Sequence, residues 1–262
     1  MKGLIIKDIM CLKKQLTVFV YVIIGVIVVS IMYVLSAKFG NIAMAAREML
    51  ATNDMTEIDV KNLATGALVL FMMLPIATVG DMANVFAVDG KAGFAKMAGA
   101  FPISLRKRLL SKFISVYALL GLGVAVDLLL AFLLSLLTDT IKFPEFLGII
   151  ISVASVMSIY SALVIFYIVL MGYGKEEYAQ IFSLGTMGLG FCLLRLDLIK
   201  SILADIAAGG SGEEKSASEL MLWQGLDFVK EKSWILLVTA VLVCVLSYGL
   251  SLAVAQRKRG VI

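Results

Sequence analysis

Six runs of 17 to 25 residues, at 16–37, 63–87, 113–137, 146–170, 178–194 and 234–255, carry almost no charge. The chain holds 23 Lys and Arg and 19 Asp and Glu, yet only Asp81 and Asp127 fall inside these runs. Runs of this length match a hydrocarbon core about 30 Å thick at 1.5 Å rise per residue. Lipid offers no partner to a bare N–H or C=O, so each run must be a helix. The expected fold class is an all-α membrane protein, a single transmembrane domain over 1–262 with six membrane-spanning helices. With 61% hydrophobic and 16% charged residues, an ordinary soluble enzyme, a disordered chain and a nucleic-acid-binding module are all excluded.

The missing residue types narrow the chemistry. There is no histidine, which removes the usual general base, the usual zinc ligand and the Ser-His-Asp arrangement. Cys11, Cys192 and Cys244 form no CxxC pair, so no metal knuckle or redox motif exists. They read as small apolar residues, with a Cys192–Cys244 disulfide left open. No stretch reads GxxxxGK[ST]; the nearest, Asp89-Gly90-Lys91-Ala92-Gly93, has the wrong spacing. If this protein uses ATP, another chain must hold it. No catalytic motif, cofactor site or metal site is expected in this chain.

Orientation follows from Lys and Arg placement. With both termini cytoplasmic, the inner segments 1–15, 88–112, 171–177 and 256–262 hold 14 basic and 4 acidic residues. The outer segments hold 9 basic and 13 acidic residues. The first run, 22 residues long, ends in Leu35-Ser36-Ala37 and reads as a permanent span rather than a cleaved signal. Before it, Leu4, Ile5, Ile6, Ile9, Met10 and Leu12 alternate with charges, which predicts an interfacial helix on the inner leaflet. Outside, Gly209 to Ser216 reads as a flexible linker, and Trp223 and Trp234 suit headgroup depth.

The inner loop 88–112 carries more than topology requires. Phe94, Met97 and Phe101 fall at i, i+3 and i+7, one face of a short helix. Pro102 and Ser104 stop that helix and start the next. Such a face, with no core of its own, suits either docking into a partner's groove or lying on lipid.

Asp89-x-Lys91, followed by Phe101-Pro102-Ile103-Ser104-x-Arg106 and then Lys112, resembles the permease subunits of type-2 ABC exporters, the small bacterial six-helix kind. In them an acidic-Lys phrase ends the second helix and an LPxSRxxxxxxK phrase opens the third. Met1-Lys2-Gly3-Leu4-Ile5-Ile6-Lys7-Asp8, continuing to Leu12-Lys13-Lys14, is similar to the family's KxLxxKDxxxLKK opening. Leu105 separates Ser104 from Arg106 here, and Gly93-Phe94 replaces a more aromatic stretch. The resemblance implies a cytoplasmic coupling helix that docks on an ATPase through Asp89, Lys91, Phe94, Met97, Phe101, Pro102 and Arg106, with Tyr173 and Lys175 of the next inner loop beside it. It implies a bacterial plasma-membrane complex of two ABC ATPase subunits, which hold ATP and Mg, with a second permease copy or a homologous permease. No nucleic-acid partner is expected.

Three features inside the runs bear on a path. An ionised Asp deep in a bilayer costs at least about 2.5 kcal/mol, so Asp81 and Asp127 should face protein or water. They line a route or gate it, or they hold a structural hydrogen bond. Pro75 is expected to kink the second span by freeing the carbonyl of Phe71. The small residues of the fourth and fifth runs, Ser152, Ser155 and Ser161, then Gly185, Gly188 and Gly190, read as helix-packing positions. The expected function is the membrane-spanning subunit of an ATP-driven exporter, working by alternating access on an amphipathic or hydrophobic cargo. A peptide is favoured, as in antimicrobial peptide resistance. The alternatives are an ion-coupled carrier or channel, or an intramembrane enzyme using Asp81 and Asp127.

Overall fold

The computed structural model describes residues 2–39, 66–80, 104–137, 143–172, 174–194 and 233–257. Every regular element among them is an α-helix. Four are long and apolar enough to cross a membrane, Gln15–Ser36, Leu105–Leu137, Phe146–Met171 and Ser233–Arg257. They cover the first, third, fourth and sixth runs. The outer loop expected at 38–62 is described only at Lys38 and Phe39, and the linker at Gly209 and Trp223 lie outside the described residues.

The chain begins with α1 (Lys2–Cys11) and α2 (Lys13–Lys38). Leu12 alone separates them. Its amide donates to the carbonyls of Asp8 and Ile9 at 3.2 and 3.1 Å, and its carbonyl accepts from Leu16 at 2.9 Å. The second run appears as α3 (Gly66–Val79). It breaks at Met73 and resumes as Leu74–Gly80, because Pro75 has no N–H to continue the ladder. The Met73 amide turns back to Leu70 at 3.2 Å, and Thr78 Oγ1 donates to the Pro75 carbonyl at 3.0 Å. Then come α4 (Leu105–Leu137), α5 (Phe143–Met171), α6 (Glu176–Leu194) and α7 (Ser233–Arg257). The third helix starts eight residues earlier than its apolar run. The carbonyl of Ser104 accepts from Lys107 and Arg108, so Arg106 to Lys112 form helical turns rather than loop.

Side-chain contacts fix the directions. Tyr117 Oη donates to the Ser158 carbonyl at 3.0 Å, and the Phe132 and Phe143 rings meet edge-on at 5.9 Å. This register makes α4 and α5 antiparallel. Phe113 meets Tyr248 edge-on at 5.4 Å, and Tyr117 meets Cys244, so α7 is antiparallel to α4 as well. An apolar cavity of about 330 Å³ separates Ile27, Ile31 and Val34 of α2 from Leu130, Leu133 and Leu137 of α4. Their late residues therefore lie side by side, and α2 runs parallel to α4. The starts of α2 and α4, the end of α5 and the end of α7 share one end of the bundle.

The last helix buries small residues and turns its large ones outward. The buried residues of α7 are Ser233, Ala240, Ser247, Ser251 and Ala255, while Trp234, Val238, Leu242, Val245 and Leu246 face outward. That small seam lets α7 pack closely along α5, its most extensive neighbour. On α5, Ser152, Ser155 and Ser161 are buried, and Ser155 and Ser161 bond back to the carbonyls four residues earlier. The α6 glycines differ from expectation. A Cβ added at Gly185, Gly188 or Gly190 meets nothing within 4 Å, so no described helix packs there.

Among the described glycines, Gly123 marks the closest approach to a neighbouring helix. A Cβ there meets Ile76 Cα and the Pro75 carbonyl oxygen, both at 3.3 Å. Gly121, two residues away, meets nothing within 4 Å. Gly121→Ala should stabilise by up to about 1 kcal/mol through helix propensity. Gly123→Ala gains the same but pushes on backbone, at about 1–3 kcal/mol for overpacking. Thermal melting in detergent should therefore rank Gly121→Ala above the parent and Gly123→Ala below it.

Candidate functional site

The shared end of the bundle is the charged end. Asp8 lies on α1 with Leu4, Ile5 and Leu12 on its helical face, and its carboxylate points into the protein at 1% exposure. Lys112 comes from the second turn of α4 and is also buried. Lys112 Nζ reaches Asp8 Oδ1 at 2.8 Å, and Lys7 Nζ reaches the same oxygen at 3.1 Å. Asp8 Oδ2 is buried, and no described residue bonds it. This pair joins residues 104 apart in sequence and ties α1 to α4. Sequence reasoning quoted both residues within family phrases but did not join them. The available signal was an acid at a helical position otherwise occupied by apolar residues.

Packing runs from this pair into the bundle. Phe113 is buried, stacks on Tyr117 at 6.3 Å and meets Tyr248 of α7. Ser111 Oγ donates to the Arg108 carbonyl at 2.8 Å. Arg106 is exposed on the first turn of α4, free to meet a partner. At the same end, the α5–α6 turn uses Gly172 and Gly174 at φ +92° and +90°, angles that disfavour a Cβ. The Gly174 amide donates to Glu176 Oε1 at 2.9 Å, which starts α6. Lys175 is exposed beside it. The structure thus brings Arg106 and Lys175 to the same end of the bundle. Asp89, Lys91, Phe94, Met97, Phe101, Pro102 and Tyr173 lie outside the described residues, so the docking face itself is not described.

Of the path candidates, Asp81 also lies outside the described residues. Asp127 and Pro75 come together. Asp127 is fully buried one turn after Gly123, and the Ile76 amide, next after Pro75, faces its carboxyl group. Among the described residues neither carboxylate oxygen gains a hydrogen bond of good geometry. A polar group so placed sits where α3 is broken and α4 comes closest. The cysteines are free, with Cys192 exposed on α6 and Cys244 half-buried on α7, so no Cys192–Cys244 disulfide forms.

The ion pair makes a measurable stability statement. Removing one partner leaves a buried charge, which costs about 3–5 kcal/mol, whereas replacing both by apolar residues is often neutral or stabilising. Lys112→Met alone should melt well below the parent in detergent, and Asp8→Leu with Lys112→Met should recover most of the loss. Additive losses in this cycle would show that the two side chains act independently.

No curated protein and no solved structure matches this chain. A family model does, that of the ABC-2 family transporter proteins, over residues 49–258. The match takes in α3 to α7 and the charged turns at the start of α4. Apolar helices bound into one multi-pass bundle are what a membrane transport subunit requires. With four-fifths of its length matched, the chain belongs to the ABC-2 transporter family of membrane permeases.

Proposed function

We propose that this protein is the membrane-spanning permease subunit of an ATP-driven exporter. The observation that carries this is the family match over residues 49–258. An ABC permease works with a separate ATPase chain, and the sequence has no nucleotide-cradling loop. ATP and Mg then sit on two ABC ATPase subunits, and the permease pairs with a second copy or a homologous permease. The complex is placed in a bacterial plasma membrane, with six spans and both termini cytoplasmic. The common end of α1, α4 and α7, and the basic excess of the inner segments, support that orientation.

In this reading the loop 88–104 is the coupling element. Phe94, Met97 and Phe101 enter a groove on the ATPase, and Asp89, Lys91, Pro102, Arg106, Tyr173 and Lys175 frame it. Nucleotide-driven closure of the ATPase pair pushes there, and alternating access follows as α4 and its neighbours tilt. Asp127 and Pro75 mark the place where α3 yields, and Asp81 follows Gly80 in the sequence. The cargo is amphipathic or hydrophobic, with a peptide favoured, because the spans carry so few charges.

Purification of the tagged permease from its own host should bring an ATP-binding chain with it, and ATP hydrolysis should accompany the complex. Phe94→Asp places a charge on the proposed docking face and should cut the retained ATPase about tenfold, the loss of about 1.4 kcal/mol of binding. Leu242→Ala, on the outward face of α7, should leave retention unchanged. A permease that purifies without any ATP-binding chain would count against the whole reading.

A further inference from the structure

The Asp8–Lys112 pair is poorly built as a stability device. One carboxylate oxygen takes both lysines, at 2.8 and 3.1 Å, while the other is buried and takes none from the described residues. Two charges are held out of water while, among the described residues, one of the two acceptor oxygens takes no bond, where an apolar pair would serve stability as well or better. Its placement is specific. Lys112 sits eight residues after Ser104, where the described part of α4 emerges from the loop 88–104. Asp8 sits four residues before Leu12, the single break between α1 and α2. The helix α1 makes more contact with α4 than with α2, although α2 follows it directly in the chain.

We infer that Asp8 and Lys112 are positioning residues for energy transfer, fastening α1 to α4 so that motion entering α4 from the loop 88–104 is carried across to α1 and α2. This deepens the exporter reading and rests on it. In the absence of the pair, α4 still receives the push but α1 does not follow. The junction at Leu12, where the amide hydrogen bonds to Asp8 and Ile9 and from Leu16 carry the ladder across, then no longer passes movement into α2. The side chains act through helix position, and neither touches nucleotide or cargo.

Cys11 is a native reporter on α1, three residues beyond Asp8 and half-buried. With Cys192→Ser and Cys244→Ala it becomes the sole thiol of the chain. The permease is purified together with its ATP-binding chain and reconstituted in lipid nanodiscs. The rate of maleimide labelling at Cys11 is then compared without nucleotide and with ATP trapped by vanadate. The parent should show a rate change of about 5-fold or more, the low end of typical coupling between sites. Asp8→Leu with Lys112→Met should retain the ATPase chain and its hydrolysis but lose the nucleotide-dependent change. Lys112→Arg keeps the charge and should keep the change. A merely structural pair would leave the change intact in the apolar double variant, and that result overturns the inference. It is equally overturned if the parent hydrolyses ATP without any change at Cys11. If no ATP-binding chain accompanies the parent, the exporter reading falls and takes this inference with it, and that outcome is seen before nucleotide is added.

Discussion

Lipid tails are as apolar as leucine, so burying leucine between helices gains nothing from water exclusion. What remains is close packing, polar contact and the rule that no backbone group goes unpaired. The seam of α7 follows from this. Ser247, Ser251 and Ala240 are buried, while Leu242, Val245 and Leu246 are given to the surroundings. Gly123 against Pro75 and Ile76 is the same principle at its limit, one backbone in contact with another. Each such approach strengthens dispersion and shortens the distance over which polar groups such as Asp127 meet the neighbouring helix. The closest helix approaches are therefore set by small residues, while large ones such as Met72, Ile76, Phe146 and Ile150 fill the core between them.

The sequence made the apolar runs legible because lipid turns composition into structure, and four of the six return as helices long enough to cross. The break in α3 was legible too, since Pro75 removes one donor whatever its surroundings. Hydropathy alone puts the start of the third helix at residue 113, but Pro102 and Ser104 mark it correctly, since the helix begins at Leu105 with the Ser104 carbonyl accepting from the next turn. The α6 glycines misled because small residues mark approach without saying to what, and no described helix fills the space beside them. The α7 seam escaped notice because serine and alanine are spread among leucines and valines with no abrupt change of composition.

The charged end was legible as a charge count but not as a geometry. Counting Lys and Arg said which ends gather together, and the registers Phe113 to Tyr248 and Tyr117 to Ser158 place those ends side by side. No count could pair Asp8 with Lys112. Their separation along the chain is 104 residues, and pairing across such a distance follows from the whole fold. The clue was local, an acid flanked by Leu4, Ile5 and Leu12 on one helical face. A charge in that setting is either exposed by a turn of the helix or met by a partner, and here α4 supplies the partner.

Burying two charges costs several kcal/mol per ion before any attraction is counted. An N-terminal helix resting on α4 could be held by leucines at no such cost. An apolar contact is indifferent to small sliding, since one methyl replaces another at nearly equal energy. An ion pair at 2.8 Å in a dry setting loses energy steeply with distance. It therefore resists relative displacement of α1 and α4, whatever its net effect on folding. Stiffness against sliding fixes the register of α1 on α4, and it is also what a part that passes on movement requires. The chemistry chosen at Asp8 and Lys112 thus fits a joint as well as it fits a staple.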